Sequence, residues 1–539
     1  MTWEPRIIAY CCNWCSYAGA DLAGVSRFQY PPNIRIVRVM CSGRVEPHFI
    51  LKALQEGADG VLVTGCHPGD CHYISGNDKA EVRVGRVHRI LEMLGIDPRR
   101  MRLKWISASE GQLFAQTVSE FVEEIRSIGP NTIAQAGVSH IDAPEKSGED
   151  LGYEYCIECN KCASSCPITR VDHGYSPSAN VLRTSILEAG DGINLPRLWD
   201  CLTCGMCSQR CPSGVKYEEL VKSERAKARV EGETGRCAHG EALRIVSDIQ
   251  CDPGLKQDRL GWIPDDLATS QEGEVLYFTG CLPYFEHALF DDPSEESGLM
   301  RIGKDALDTA RSTIALLNRA GIKPVVLPDE RCCGHDALWT GDEEKFKRLA
   351  ELNIENIRRS GAKVVVLSCA EGYRTLKVDY PDHFGELGFE VLHTSEFFLD
   401  MIEGGKLVPS EPLPVVIAYQ DPCRLGRLAG VFDAPRKVLA AIPDLKIMEL
   451  GPSGRDATCC GGPNGWVNCG QQTRRIQFDR FRTVSSQGVE TIVTACPKCL
   501  IHYKCAISSK LPADLEGNSL DFKDINVLLD LATGGGGQS

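Results

Sequence analysis

The chain has 539 residues, is 43% hydrophobic and 24% charged, and carries a formal net charge of −14. That length exceeds what a single hydrophobic core serves, so three or so domains are expected. The acidic balance argues against a nucleic-acid partner, which needs a basic face to neutralise phosphates. No run of apolar residues is long enough to read as an integral membrane segment. The start, MTWEPRIIAYCC, lacks a basic stretch followed by an apolar one and a cleavage site, so no secretory signal is read and a cytoplasmic location is expected.

Cysteine is the outlier, with 27 residues. A disulfide framework suits short secreted chains, and the count here is odd. Thiolates in tight local clusters point instead to metal ligation.

In chain order, RIIAYCC, IRIVRVMC and GVLVTGC are short β-rich runs, each ending at a cysteine, with helix-like stretches such as EPHFILKALQEGA between them. Alternating strands and helices predict a parallel sheet with helices on its faces. Loops after the carboxyl ends of such strands share one edge, where ligands bind. Cys12 and Cys15, Cys41, and Cys66 and Cys71 are therefore expected to converge from three loops. SIGPNTIAQAGVSHIDAPEKSGEDLG reads as a linker. The segment after it is helix-like between its cysteines (SANVLRTSILEAG, YEELVKSERAKARVEG), and DPGLKQDRLGWIPDDLATSQEG reads as a second boundary. The remainder is an internal duplication. Its first half carries Cys281, Cys332-Cys333-Gly334 and Cys369, and its second half Cys423, Cys459-Cys460-Gly461 and Cys496. The step from Cys333 to Cys369 is 36 positions, and so is the step from Cys460 to Cys496. Equal spacing implies two similar α/β units. The tail ATGGGGQS reads as disordered.

The strongest chemical signal is Cys156-x2-Cys159-x2-Cys162-x3-Cys166-Pro167, repeated as Cys201-x2-Cys204-x2-Cys207-x3-Cys211-Pro212. Three cysteines at three-residue steps wrap one corner of a cubane, and the fourth, before proline, ligates the other cluster. Two [4Fe–4S] cubanes are predicted. One is held by Cys156, Cys159, Cys162 and Cys211, the other by Cys201, Cys204, Cys207 and Cys166. Zinc sites use paired C-x2-C elements and do not match this run.

Segment 156–211 resembles the helical ferredoxin subunit of heterodisulfide reductase. The C-terminal segment resembles its catalytic subunit, built from two CCG domains. The second half matches that pattern in full, with Cys423, Cys459-Cys460-Gly461 and Cys496-Pro-Lys-Cys499. The resemblance implies a noncubane [4Fe–4S] cluster on Cys423, Cys459, Cys460, Cys496 and Cys499, and assigns catalysis there. In the first half position 372 is glycine where the pattern has a cysteine, which leaves Cys281, Cys332, Cys333 and Cys369. A four-ligand iron–sulfur cluster is expected on them. Gln420 and Arg424 stand where related CCG proteins often show a histidine beside the Asp-Pro-Cys. The N-terminal runs CCNWCSYAGAD, VRVMCSGRVEPHFILKALQEGADGV and TGCHPGDCHY resemble the small iron–sulfur subunit of methyl-viologen-reducing hydrogenase. That implies a flavodoxin-like fold with one [2Fe–2S] cluster on four of Cys12, Cys15, Cys41, Cys66 and Cys71. Cys11 is read as a spare thiol, and Cys237, Cys251, Cys469 and Cys505 as ordinary ones. His67, His72 and His335 adjoin the cysteines and are read as non-ligands.

The expected architecture is an α/β multi-domain chain. It runs from a flavodoxin-like [2Fe–2S] domain at residues 1–140 through a small helical two-cluster ferredoxin domain at 150–252 to a degenerate first CCG domain at 274–412 and a second at 413–530. No GxGxxG or Walker pattern follows a strand, so no flavin is expected on this chain. The implied function is that of an oxidoreductase component of heterodisulfide reductase type. It would link hydrogenase or formate dehydrogenase subunits, and a flavin-containing heterodisulfide-reductase-A-like subunit, to reduction of a small-molecule disulfide or similar acceptor. The alternatives are a non-catalytic electron relay and the iron–sulfur subunit of a quinone-linked dehydrogenase. Terminal substrate, direction of electron flow and any electron bifurcation stay open at this point.

Overall fold

The computed structural model describes residues 3–133, 155–181, 197–235, 241–288, 299–462, 470–517 and 519–534. The chain divides into two compact units: Met1–Gly137 with Gly240–Gly261 and Tyr284–Met300, and Val138–His239 with Trp262–Pro283 and Arg301–Ser539.

In the first unit the three runs that end at cysteines form β1 (Ile7–Cys12), β2 (Ile34–Val39) and β3 (Gly60–Gly65). A fourth strand, β4 (Met101–Trp105), completes a parallel sheet of order β2-β1-β3-β4. β3 is buried along its whole length, as an inner strand covered on both faces must be. β2 lies at the sheet edge and exposes Arg35 and Arg38, charges that discourage further strand pairing. The helices are α1 (Ser16–Val25), α2 (Pro47–Gln55), α3 (Gly76–Met93) and α4 (Gly111–Ile128). In α4, Phe114, Val118, Phe121, Val122 and Ile125 recur at helical spacing, and they join Ile7, Ala9 and Leu62 in the core. The chain leaves β1 for β2 on one side and returns to β3 on the other. A crevice therefore opens at the carboxyl ends of β1 and β3. A later helix, Ala242–Ile249, also belongs to this unit. It buries Ala242, Leu243, Ile245, Val246 and Ile249 and packs against α2.

The second unit begins with short helices at Lys161–Ser165, Pro167–Val171 and Met206–Arg210 and a longer one at Tyr217–Val230. No strand occurs among the described residues from 155 to 235. Of the run SANVLRTSILEAG, the helical start up to Val181 is described. The linker expected before residue 153 falls largely outside the described residues, as does most of the Gly-rich tail.

Two further parallel sheets carry the duplication. One has β5 (Val275–Phe278), β6 (Val364–Leu367) and β7 (Glu390–His393) in the order β5-β6-β7. The other has β8 (Val416–Gln420), β9 (Lys446–Glu449), β10 (Thr491–Thr494) and β11 (Asp521–Asp524) in the order β11-β10-β8-β9. Val325 bridges in parallel to Leu276, on the side of β5 where the second half has β9 beside β8. Strand for strand, β5, β6 and β7 correspond to β8, β10 and β11. Each last strand runs into a helix capped by its final side chain. His393 accepts from the Ser395 N–H, and Asp524 accepts from the Asn526 N–H.

Candidate metal centres

In the first unit, Cys12 ends β1, Cys15 precedes α1, Cys41 follows β2, and Cys66 follows β3; Cys71 lies in the loop before α3. The sheet order alone brings these positions to one edge. Cys15 Sγ lies 2.7 Å from Cys66 Sγ, and Cys12 Sγ lies 3.9 Å from Cys66 Sγ. These are too long for disulfide bonds, and every described cysteine is free. Cys41 and Cys71 close the group at Gly76. A Cβ there would overlap the Cys41 sulfur and stand 3.0 Å from that of Cys71. The Gly76 N–H donates to Cys71 Sγ at 3.2 Å. Hydrogen bonds from Cys15 and Cys41 hold the Cys12 thiol below its usual range, and sharing with Cys12, then burial, pushes Cys15 and Cys41 up. Metal binding at such a thiol set would displace these protons.

The neighbouring groups fall away from that set. Cys11, next in the strand to Cys12, faces the apolar core with Ala9 and Leu62, and burial pushes its thiol up to about 11. His67 Nε2 lies 2.7 Å from Glu110, and the His72 ring stacks on Trp14 with centroids 3.8 Å apart. In the second unit His335 sits against carboxylates.

Cys166, Cys201, Cys204 and Cys207 are each less than a tenth exposed and line a single small pocket together with Tyr175 and Tyr217. Burial pushes Cys166 up to about 12 and raises the other three. The cysteine before proline in the first motif thus joins three from the second. The remaining four are more open. Cys156, Cys162 and Cys211 are half-buried and Cys159 is exposed. Cys156 lies near enough to raise Cys162, after burial. Among the described residues no thiol contact draws in Cys159 or Cys211.

In the second half of the duplication the five thiols form one connected group. Cys423 pairs with Cys459, Cys459 with Cys460, and Cys499 with both Cys460 and Cys496. Cys423, Cys460, Cys496 and Cys499 line a small cavity with Lys498 and Glu371. In the first half Cys332 pairs with Cys281 and Cys333. Cys369 shares its hydrogen bond with Cys496 of the other half, although its charge still reaches Cys333. At Gly372 a Cβ would meet Leu367 Cδ2 at 3.1 Å and Cys369 Cβ at 3.8 Å, so a side chain there would have to push Leu367 aside by a few tenths of an ångström.

Between the halves lies a charged group that the cysteine pattern does not announce. Lys498 Nζ donates to the Asp336 carboxylate at 2.6 and 2.8 Å and lies 2.7 Å from Glu371 Oε2. His335 Nδ1 lies 3.2 Å from Asp336 and 3.4 Å from Glu371. Burial lowers His335 to about 3, which keeps it neutral. Burial opposes ionisation of Asp336, yet Lys498 and His335 hold it below the usual carboxylate range, whereas for Glu371 burial prevails and raises it. Lys498 is the spacer residue inside Cys496-Pro-Lys-Cys499, where a spacing pattern reads only an unspecified position. The other stray thiols have local partners. Cys251 Sγ lies 3.5 Å from the Ser247 carbonyl, and Arg474 donates to Cys505 at 2.9 Å; Cys237 and Cys469 lie outside the described residues.

All of these sites offer clustered cysteine sulfur, the donor chemistry that iron–sulfur clusters require. No helix among the described residues is long and apolar enough to cross a membrane.

Comparison with known proteins agrees with this division of sites. Residues 7–129 match the family described as methyl-viologen-reducing hydrogenase, delta subunit; residues 152–215 match the 4Fe-4S dicluster domain; residues 275–377 and 417–504 match the cysteine-rich domain of the CCG family. The iron-sulfur D subunit of the vhc F420-non-reducing hydrogenase of Methanococcus voltae is 56% identical over 133 residues, 25% of this chain and 92% of that protein. The D subunit of the dihydromethanophenazine:CoB--CoM heterodisulfide reductase of Methanosarcina barkeri is 30% identical over 374 residues, 64% of this chain and 86% of that protein. The A subunit of the ferredoxin/F(420)H(2)-dependent CoB-CoM heterodisulfide reductase of Methanosarcina acetivorans is 55% identical over 126 residues, 23% of this chain and 16% of that much longer protein. The chain therefore belongs to the family of heterodisulfide reductase D subunits over most of its length and carries, fused ahead of that part, a module of the hydrogenase delta-subunit family.

Proposed function

We propose that this chain is the iron–sulfur subunit where electrons reduce a small-molecule disulfide, or an acceptor of like chemistry, in a heterodisulfide-reductase-type complex. The observation that carries the reading is the complete five-thiol set of Cys423, Cys459, Cys460, Cys496 and Cys499. It is buried and enclosed, and it opens on a cavity that also holds Lys498. Five thiolates exceed what a cubane needs, so a noncubane [4Fe–4S] cluster suits them. Bound there, such a cluster would supply one electron at a time and an iron site for a thiolate sulfur. The residues' own part is to exclude water, to fix the thiolates through the Gly461 N–H on Cys459 (3.1 Å), and to hold an ammonium, Lys498, against the site.

The four thiols of the Cys201 group hold one cubane in this reading, and Cys156, Cys159, Cys162 and Cys211 the other. Cys281, Cys332, Cys333 and Cys369 hold a four-ligand cluster. Four of the five N-terminal thiols hold a [2Fe–2S] cluster in a flavodoxin-like domain, for which the β2-β1-β3-β4 order is the support. The domain limits follow the sequence expectation except at Ala242–Ile249, which was expected in the ferredoxin domain and packs with the first unit. The flavin is placed on a partner, a heterodisulfide-reductase-A-like subunit, with hydrogenase or formate dehydrogenase subunits as electron donors.

The test is anaerobic purification with partners, followed by iron and sulfide counts, EPR and disulfide-reduction assays. Cluster-replete complex should reduce disulfides and should show a disulfide-dependent EPR change, and Cys499→Ser should abolish both. A complex that reduces no disulfide, with Cys499→Ser leaving turnover untouched, refutes the reading. The Gly372 substitution favours one rival, a pure relay. In that case the EPR signals respond to reductant and ignore disulfide.

A further inference from the structure

The loop that follows Cys423 reaches into the ferredoxin motif through a buried arginine. Arg424 is 1% exposed. Its Nη1 donates to the Thr203 carbonyl and its Nη2 to the Thr203 hydroxyl, both at 2.8 Å. Its guanidinium lies 4.0 Å over the ring centroid of Trp339, a residue with no exposed surface. Thr203 sits between Cys201 and Cys204, and its N–H donates to Cys201 Sγ at 3.3 Å. A neighbour, Arg427, donates to the Cys204 carbonyl at 2.8 Å. One side chain is thus anchored in the loop of one proposed cluster while its backbone adjoins a cysteine of the other. An arginine keeps its charge at any working pH, and buried charge acts through a low effective dielectric.

We propose that Arg424 is a shared electrostatic positioning residue, whose fixed positive charge raises the reduction potentials of the clusters held by the Cys201 group and by the Cys423 group together. The inference rests on the iron–sulfur reading of both sites. Reducing a cluster adds one negative charge to its loop, and a cation fixed between two such loops stabilises the added charge on either side. The same charge favours the thiolates of Cys423 and Cys204, although sharing with Cys459 and then burial outweighs it at Cys423, and burial does so at Cys204. It also bears on two buried carboxyls, Glu218 and Asp379, which burial pushes towards their neutral forms. Asp379 already has its own partner in Arg374 at 2.7 Å.

The experiment is an EPR-monitored redox titration of the anaerobically purified full chain, as wild type, Arg424→Met, Arg424→Lys and Thr203→Val, with iron and sulfide counted in each. In Arg424→Met two signals should move to lower potential by the equivalent of about a tenfold change in the reduction equilibrium, about 59 mV for a one-electron couple. Arg424→Lys, which keeps the charge and loses the fork, should move both by less. Thr203→Val should leave the charge in place and move neither by as much as the methionine variant. Wild-type potentials in a cluster-replete Arg424→Met, or a shift confined to one signal, overturn the proposal. So does cluster loss in Arg424→Met with unshifted potentials in the lysine variant, which would assign Arg424 to packing. If the wild type itself lacks iron and sulfide, it is the underlying cluster reading that fails.

Discussion

Replacing Lys498 by methionine tests the charged group between the duplicated halves. The side chain is 8% exposed and bonds two carboxylates at 2.6 and 2.7 Å, of which Glu371 is 6% exposed and Asp336 29%. Removing one partner of a buried ion pair costs about 3–5 kcal/mol, because the other charge is left desolvated and uncompensated. Two features push the value to the low end. Burial already drives Glu371 towards its neutral form, and Asp336 keeps some contact with water. We expect about 3 kcal/mol at neutral pH, or roughly a hundredfold faster amide exchange in the Pro497–Ile507 helix if that helix opens locally. The deficit should shrink as the pH falls, since protonated carboxyls need no ammonium. Hydrogen exchange on the anaerobic full chain reads this directly. Glu371→Gln and the double variant complete a cycle, in which the double variant should recover part of the loss. Exchange accelerated less than threefold in Lys498→Met, or no coupling in the cycle, would refute the assignment of Lys498 as the shared counter-charge.

Gly76→Ala changes no cysteine, yet its Cβ would overlap the Cys41 sulfur; the N-terminal cluster signal should be lost or halved in occupancy while the other signals persist. Cys11→Ala removes a core thiol and should cost about 1 kcal/mol or less with the cluster retained, whereas Cys12→Ala should remove it, both read by visible absorption. His383 and Glu343 form a half-buried pair at 3.5 Å. Glu343 bonded to His383 is lowered to about 2, so its stabilisation is present above its ordinary value of 4.5 and is lost as the pH falls towards 2; His383 is raised, so its share is full below 6.5 and is lost as the pH rises through the raised value. His383→Ala should flatten both limbs, by about 1 kcal/mol or less given the exposure, in pH-dependent urea unfolding.

Much of this architecture was legible because cysteine spacing and strand pattern are one-dimensional. β1, β2 and β3 each announce themselves as an apolar run stopping at a cysteine, and the duplication is written in two equal steps. β4 escaped because Met101–Trp105 alternates charged and apolar residues without a cysteine to mark its end. Lys498, Glu371 and Asp336 escaped for a different reason. Their meeting depends on how the two halves fold together, and charges isolated in a sequence normally report solvated surface. Arg424 was visible only as a departure from a pattern; its anchorage on Thr203, more than two hundred positions away, is a product of packing.

The Ala242–Ile249 helix bears on how the polypeptide can be taken apart. It lies after the ferredoxin motif in the sequence, yet its apolar side covers α2 of the first unit, and the Asp258 N–H bonds the Met93 carbonyl at 3.2 Å. The seam between modules is therefore stitched back on itself. A protease or a cloning scissor that severs the chain near residue 140 would strip this unit of its own lid and leave greasy α2 side chains facing water. Anyone isolating the amino-terminal piece should expect it to stick to itself unless the downstream patch travels with it.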